Sequence, residues 1–267
     1  MIRKYCEMDF LTVDSAIKKD IFQNVYLYID SKFYGFSNNN ISTYLLCDNN
    51  EIKAILYQYY NSLQLFTIRA LTEQEILEMC QYIKENNIVM LTGRLDIVRE
   101  MSVKLKEFTI SEGKIFTSDI VNKINDEDVE LANMQDCKEI AKLICSDISI
   151  GGHYEIDTLH HQLQERMKNW GCKSMIIKKE NKIFAHMATY AECKEISVLG
   201  GLVTEQNYRG LGYGRKVLDK LKNSVLNERK TPILYCYDEM LQKWYMNLGW
   251  RVVAECGKIE KRSETKC

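Results

Sequence analysis

The stretch Arg209-Gly210-Leu211-Gly212-Tyr213-Gly214 is the most informative in the chain. It follows a strand-like run, Glu195–Val203, and opens a helical pattern, Tyr213–Asn227. Glycines at alternate positions let the backbone curl and turn its N–H groups to one side. A helix start adds N–H donors with no intrahelical partner and the positive end of the helix dipole. Together these make a cradle suited to a phosphate or pyrophosphate. A Gly-rich turn without a ligand is the competing reading of the same residues. A dinucleotide fingerprint does not fit, because the spacing is GxGxG rather than GxGxxG, and the P-loop pattern GxxxxGK[ST] is absent.

Outward from this loop, the second half reads as a strand near Val129–Leu131, a helix over Cys137–Ser146 and a helix over Ile156–Asn169. Strands follow over Lys173–Lys178, Lys182–Ala191 and Glu195–Val203. After the glycine loop and its helix come a strand at Ile233–Tyr237, a helix at Glu239–Leu248 and a strand at Trp250–Ile259. The first half carries helical faces (Phe10, Val13, Ile17; Ile21, Val25, Ile29), then Asn38-Asn39-Asn40 as a loop. Strands fit Ser42–Cys47, Lys53–Tyr60 and Leu63–Ile68, with Asp48-Asn49-Asn50 as a turn. A helix fits Glu73–Glu85, a strand Ile88–Leu91, a helix Leu95–Leu105 and an extended run Glu107–Thr117. Both halves thus share a rough order of two helices, three strands, helix, strand, helix, strand. The fold class is mixed α/β, without the strict alternation of a doubly wound sheet. The polar run 118–128 marks the boundary, giving domains 1–120 and 128–267.

Arg209 to Gly214 fits R/Q-x-x-G-x-G/A, and so resembles the pyrophosphate loop of the GNAT N-acyltransferase superfamily. Gly200-Gly201-Leu202-Val203-Thr204 looks like that family's fourth strand, which a bulge splays from the fifth. Tyr245-Met246-Asn247-Leu248-Gly249-Trp250 resembles its Tyr-x-x-x-Gly-aromatic helix ending. The motif matches are specific over Ser197–Trp250. The resemblance implies a GNAT-like fold, a mixed, mostly antiparallel sheet flanked by helices. The shared element order extends this to two tandem copies, the first degenerate, with an unrelated cap domain as its alternative.

The resemblance also implies acetyl-CoA or another acyl-CoA as co-substrate. Its pantetheine arm would pair with the backbone of Leu202, Val203 and Thr204. Its pyrophosphate would sit on the loop opened by Arg209, on the N–H groups of Gly210, Leu211, Gly212, Tyr213, Gly214 and Arg215. Asp238 stands where many relatives carry a cofactor-touching Asn; capping of the helix that follows is the alternative. Tyr245 holds the family's general-acid position, where a hydroxyl can protonate the leaving thiolate; a core aromatic is the bland reading. The base is not readable. Glu205 is one residue out of register with the glutamate some relatives use, and His186 reads as a structural histidine. His160 and His161 diverge on a helix, His153 is a loop residue, and no metal site is expected.

The whole-chain properties agree. The 267 residues carry 36 Lys+Arg and 37 Asp+Glu, a net charge of -1, which argues against a dedicated nucleic-acid binder. No apolar run suits a signal peptide or a membrane span. The ten cysteines form no CxxC pair, so reduced thiols in a cytoplasm are expected. Three of the thirteen glycines precede residue 150 and seven lie from Gly200 to Gly257, which places the site in the last third. The expected activity is transfer of an acyl group, most simply acetyl, to a primary amine on a small molecule. A non-catalytic acyl-CoA-binding sensor is the rival. Acyl length, acceptor and oligomeric state are not legible.

Overall fold

A computed structural model describes residues 1–37, 41–49, 51–123, 127–148, 150, 154–180 and 182–262. The expected loops at Asn38-Asn39-Asn40 and Gly151-Gly152, together with Asn50, His153, the middle of the 118–128 run and the end of the tail, lie outside the described residues.

The duplicated order is present in the chain. The first copy runs β1 (Ile2–Lys4), α1 (Phe10–Lys19), α2 (Val25–Tyr34), β2 (Ile41–Asp48), β3 (Glu51–Tyr59), β4 (Ser62–Thr67), α3 (Glu73–Glu85), β5 (Met90–Arg94), α4 (Leu95–Lys104) and β6 (Phe108–Thr117). The second runs β7 (Glu130–Leu131), α5 (Cys137–Ser146), α6 (Ile156–Trp170), β8 (Ser174–Lys179), β9 (Lys182–Glu192), β10 (Ile196–Thr204), α7 (Tyr213–Asn227), β11 (Thr231–Cys236), α8 (Glu239–Asn247) and β12 (Arg251–Lys261). The pairing repeats as well. β1–β2, β2–β3 and β3–β4 are antiparallel and β4–β5 parallel; β7–β8, β8–β9 and β9–β10 are antiparallel and β10–β11 parallel.

The helical face read from Ile21, Val25 and Ile29 is broken. Asp20 accepts from the Gln23 N–H, and Asn24 Nδ2 donates to the Ile17 carbonyl at 3.3 Å. These side-chain bonds compete with the helix and leave a short 3-10 turn, Ile21–Asn24, before α2.

Two compact units emerge, and their line differs from the expected division at 120 and 128. One unit is Met1–Phe116 with the chain from Cys236 onward; the other is Thr117–Tyr235. The physical reason is β12, which pairs antiparallel with β5, Gly257 opposite Gly93. A Cβ on Gly257 would lie 2.6 Å from Val98 Cβ, and one on Gly93 would lie 3.6 Å from Val98 Cγ2. The bare Gly257 therefore lets α4 seat directly on this strand pair, while a Cβ on Gly93 would press the Leu65 carbonyl of β4 at 2.9 Å. The first unit's strands run β1-β2-β3-β4-β5-β12-β6 and the second's β11-β10-β9-β8-β7.

In the first unit, Ile76, Met79 and Ile83 of α3 and Val98 and Met101 of α4 bury against Leu46, Leu56, Leu63, Leu65, Leu91 and Ile259. In the second, Ile140 and Ile144 of α5 and Leu159 and Leu163 of α6 bury against Ile176, Ile183 and Val203. The nine described cysteines carry free thiols. Among the described residues no helix is long and apolar enough to cross a membrane.

Candidate active site

The second unit assembles the site around the end of β10. β10 pairs with β11 only over Ile196–Leu199, opposite Thr231–Leu234, although β10 continues to Thr204. From Gly200 onward the two strands part. On its other edge β10 stays with β9, but the register shifts between Gly200, opposite Ala188, and Val203, opposite His186. Two residues of β10 there face one of β9, which is a β-bulge. Gly201 takes the turn at φ +63°, a left-handed conformation that L side chains rarely adopt.

Two side chains hold the bulge. His186 is fully buried, and its Nδ1 lies 2.9 Å from the Gly201 carbonyl oxygen. A carbonyl only accepts, so Nδ1 carries the proton and Nε2 is a bare acceptor, buried without a partner among the described residues. Burial pushes the imidazole down to about 4, so the ring is neutral at physiological pH. Tyr190 lies across both glycines. A Cβ on Gly200 would come within 2.6 Å of its ring, and one on Gly201 within 2.2 Å of its hydroxyl. The guanidinium of Arg166, from α6, stands 4.8 Å over the Tyr190 ring. The sequence reading passed over Tyr190 and Arg166. The double glycine was the available signal: it marks not only a bulge but a place where a large side chain lies close against the backbone.

Thr204 leads through a 3-10 turn, Gln206–Tyr208, to the glycine loop. Gly210 and Gly212 have φ of +77° and +84°, and a Cβ on either would meet nothing within 4 Å. Their role is conformational, with open space beside them. Gly212 is the N-cap of α7; no side chain caps this helix and its first turn holds no acidic residue. The N–H groups of the first turn are left to the dipole's positive end. Gly214 packs inward, where a Cβ would lie 3.1 Å from Thr204 Oγ1, so α7 starts against the end of β10. Arg209 braces the loop: its Nε donates to the Thr204 carbonyl at 3.0 Å and its guanidinium pairs with Asp147 at 2.7 Å. Phe184 stacks on Tyr208 at 4.4 Å and meets the edge of Tyr213 at 5.0 Å, which fixes both ends of the loop. Glu205 is ion-paired to Lys182 at 2.8 Å.

The corresponding junction in the first copy is closed. Thr72 caps α3, its hydroxyl accepting from the Glu75 N–H, while the Glu75 carboxylate accepts from the Thr72 N–H. Glu73 and Glu75 also place negative charge in that first turn. This capping box uses the donors and repels an anion.

Asp238 and Tyr245 belong to the first unit. Asp238 caps α8, Oδ1 accepting from the Leu241 N–H at 2.8 Å. Gln242 Nε2 donates to the Cys236 carbonyl, which ties α8 back to the end of β11. Tyr245 is buried among Phe116, Trp244 and Trp250, ring centroids 5.8, 5.1 and 6.0 Å away. Its hydroxyl has no hydrogen-bond partner among the described residues, and burial raises its pKa, so it stays protonated. Leu202 to Thr204 and Arg209 to Arg215 are thus brought together on one unit, and Asp238 and Tyr245 on one helix of the other. No three His, Cys, Asp or Glu side chains gather as metal ligands among the described residues.

No family model and no curated protein matches the sequence. Solved structures do match in shape. A GCN5-related N-acetyltransferase from Sphaerobacter thermophilus aligns with 98% of this chain and 96% of its own, at 11% identity and a TM-score of 0.67. A GNAT-family acetyltransferase from Colwellia psychrerythraea aligns with 98% of this chain and 100% of its own, at 14% identity and a TM-score of 0.61. A GCN5-related N-acetyltransferase-like protein from Streptococcus suis covers 94% of this chain and 99% of its own, at 12% identity and a TM-score of 0.57. The chain has the GNAT fold, in a tandem arrangement that these neighbours cover nearly end to end.

Proposed function

We propose that this chain is an acyl-CoA-dependent N-acyltransferase that moves an acyl group, most simply acetyl, directly to a primary amine on a small molecule. The observation that carries the reading is the uncapped N-terminus of α7 set against the splayed end of β10. The residues fit acyl-CoA. The N–H groups from Gly210 to Arg215 would hold a pyrophosphate, and the backbone of Leu202, Val203 and Thr204, freed from β11, would hold an extended amide-bearing arm. Bound acyl-CoA supplies the activated thioester. A backbone N–H at the parted end of β10 would stabilise charge developing on the acyl oxygen. Tyr245, kept protonated by burial, would deliver a proton to the departing sulfur. Asp238 would serve by fixing the start of α8, the helix that carries Tyr245.

Calorimetric titration of the full chain with CoA is expected to saturate at one equivalent, because the first copy's helix start is sealed by its own side chains. Gly212→Val forces a branched residue into φ +84° and should weaken CoA binding about 5- to 30-fold, from a left-handed backbone cost of about 1–2 kcal/mol. Gly212→Asn, which tolerates that region, should bind nearly as the wild type does. Unchanged affinity in a folded Val variant, or two equivalents of CoA, would refute the assignment.

A further inference from the structure

Arg166 stands apart from the other charges around the site. Arg209 and Arg215 are matched to Asp147 and Asp219 at 2.7 and 3.3 Å. Arg166 is partly buried, and the side-chain contact it makes among the described residues is with an aromatic ring rather than a carboxylate. Its one side-chain partner is the face of Tyr190, 4.8 Å away. A guanidinium carbon set over an aromatic face makes no hydrogen bond to it, so the contact spends none of the N–H donors, which together form a fork shaped for two oxygens. A half-buried cation with unused donors is costly unless something anionic meets it.

Its position says what that something is attached to. Tyr190 rests on Gly200 and Gly201, the residues at which β10 leaves β11. The Arg166–Tyr190 pair therefore lies beside the bulge at which β10 leaves β11, where the proposed reading places the acyl group. Of the titratable groups that act electrostatically on Tyr190, namely Arg166, Tyr154 and Cys172, Arg166 is the one cation. A single planar fork matches a singly charged carboxylate. A dianionic phosphate gathers further cations or a helix start.

We infer that Arg166, set over the Tyr190 ring, is the specificity-determining residue for the acceptor and takes a carboxylate, so that the acceptor class is α-amino acids and similar carboxylate-bearing amines. The inference rests on the proposed acyltransferase activity. It commits the acceptor to carry an anion beside its amine.

The test uses the full-length enzyme with acetyl-CoA and paired acceptors: L-lysine with cadaverine, L-phenylalanine with phenethylamine, L-tyrosine with tyramine and L-serine with ethanolamine. CoA and acetylated product are quantified by chromatography. The wild type should prefer the α-carboxylate member of at least one pair. Arg166→Gln should lower kcat/KM for that acceptor about 10- to 100-fold, through KM, as expected for losing a charge-assisted pair. The decarboxylated partner should be unaffected, and Arg166→Lys should fall between, retaining charge without the fork. Acetyl-CoA affinity, measured by calorimetry, should be the same in all three proteins. Equal losses for both members of a pair, or a wild-type preference for the decarboxylated amines, would overturn the inference while leaving the acyltransferase reading in place. Failure to bind acetyl-CoA, or to acetylate any amine, would overturn both.

Discussion

Gly200→Ala adds one methyl group and, unlike a change at Gly201, forces no unusual backbone angle, since Gly200 is not among the positive-φ glycines. The new Cβ would lie 2.6 and 2.7 Å from Tyr190 Cδ2 and Cε2, where ordinary contact begins near 3.4 Å. The ring must retreat by nearly an ångström, in a site where Arg166 already stands 4.8 Å from its centroid. Overpacking of this kind costs about 1–3 kcal/mol. The same substitution in a Tyr190→Ala background meets no ring and should be neutral or slightly stabilising, because Ala is better than Gly inside a strand by about 0.5–1 kcal/mol. The coupling between the two positions is then about 2 kcal/mol. Equilibrium urea unfolding of the wild type, both single variants and the double variant, followed by circular dichroism, measures it. Gly201→Ala is the control: its left-handed cost persists whether or not Tyr190 is present. If Gly200→Ala destabilises equally in both backgrounds, the double glycine is not there to admit Tyr190.

Tyr245→Phe keeps the ring among Phe116, Trp244 and Trp250 and removes a hydroxyl with no partner among the described residues, so Tm should hardly move. kcat should fall roughly 10- to 1,000-fold with CoA affinity unchanged; an unchanged kcat with chemistry rate-limiting returns Tyr245 to a packing role. Asp30, on α2, is pushed up to about 6 by burial, with the Gln64 hydrogen bond at 3.0 Å only partly offsetting it. Its folded pKa lies above the ordinary 3.8, so the folded protein binds the extra proton, and this contribution to stability is lost as pH rises through 6. Asp30→Asn should therefore stabilise the protein by about 1–3 kcal/mol at pH 8 and give no gain at pH 4; equal Tm shifts at the two pH values would refute the burial argument.

Much of the architecture was legible because it rests on local periodicity and turn chemistry. The helices at Glu73–Glu85, Cys137–Ser146 and Tyr213–Asn227 fall where the apolar spacing puts them, and the glycine loop ends at a helix N-cap as its spacing implies. The misreadings came from features without a local signature. Trp250–Ile259 reads as a strand, yet nothing near it says that it will pair with β5, more than 150 residues away, or that Gly257 will lie under Val98 of α4. The helix read through Ile21 was broken by Asp20 and Asn24, whose polar bonds an apolar count ignores. Arg166 and Tyr190 were missed because an arginine on a polar helix face and a tyrosine in a strand are individually ordinary. Only the contact between them, over the double glycine, gives them meaning.

The two copies repeat one chain order and differ most tellingly at one junction. Where β4 passes to α3, the chain places Thr72 and Glu75, and the helix start is satisfied by its own side chains. Such a cap contributes about 1 kcal/mol and closes the site to anions. Where β10 passes to α7, the chain forgoes the cap, takes glycine at φ +84°, and leaves the donors open. The nearby strand end carries the same kind of cost: a left-handed residue at Gly201 and a buried Nε2 without a partner among the described residues on His186. Each lowers stability by itself, and they gather within one strand end and the strand and helix that flank it. Stability alone would favour the arrangement of the first copy. That the second departs from it at the helix start is what a binding site looks like in energetic terms, and it supports the proposal of a ligand at β10 and α7 rather than at β4 and α3.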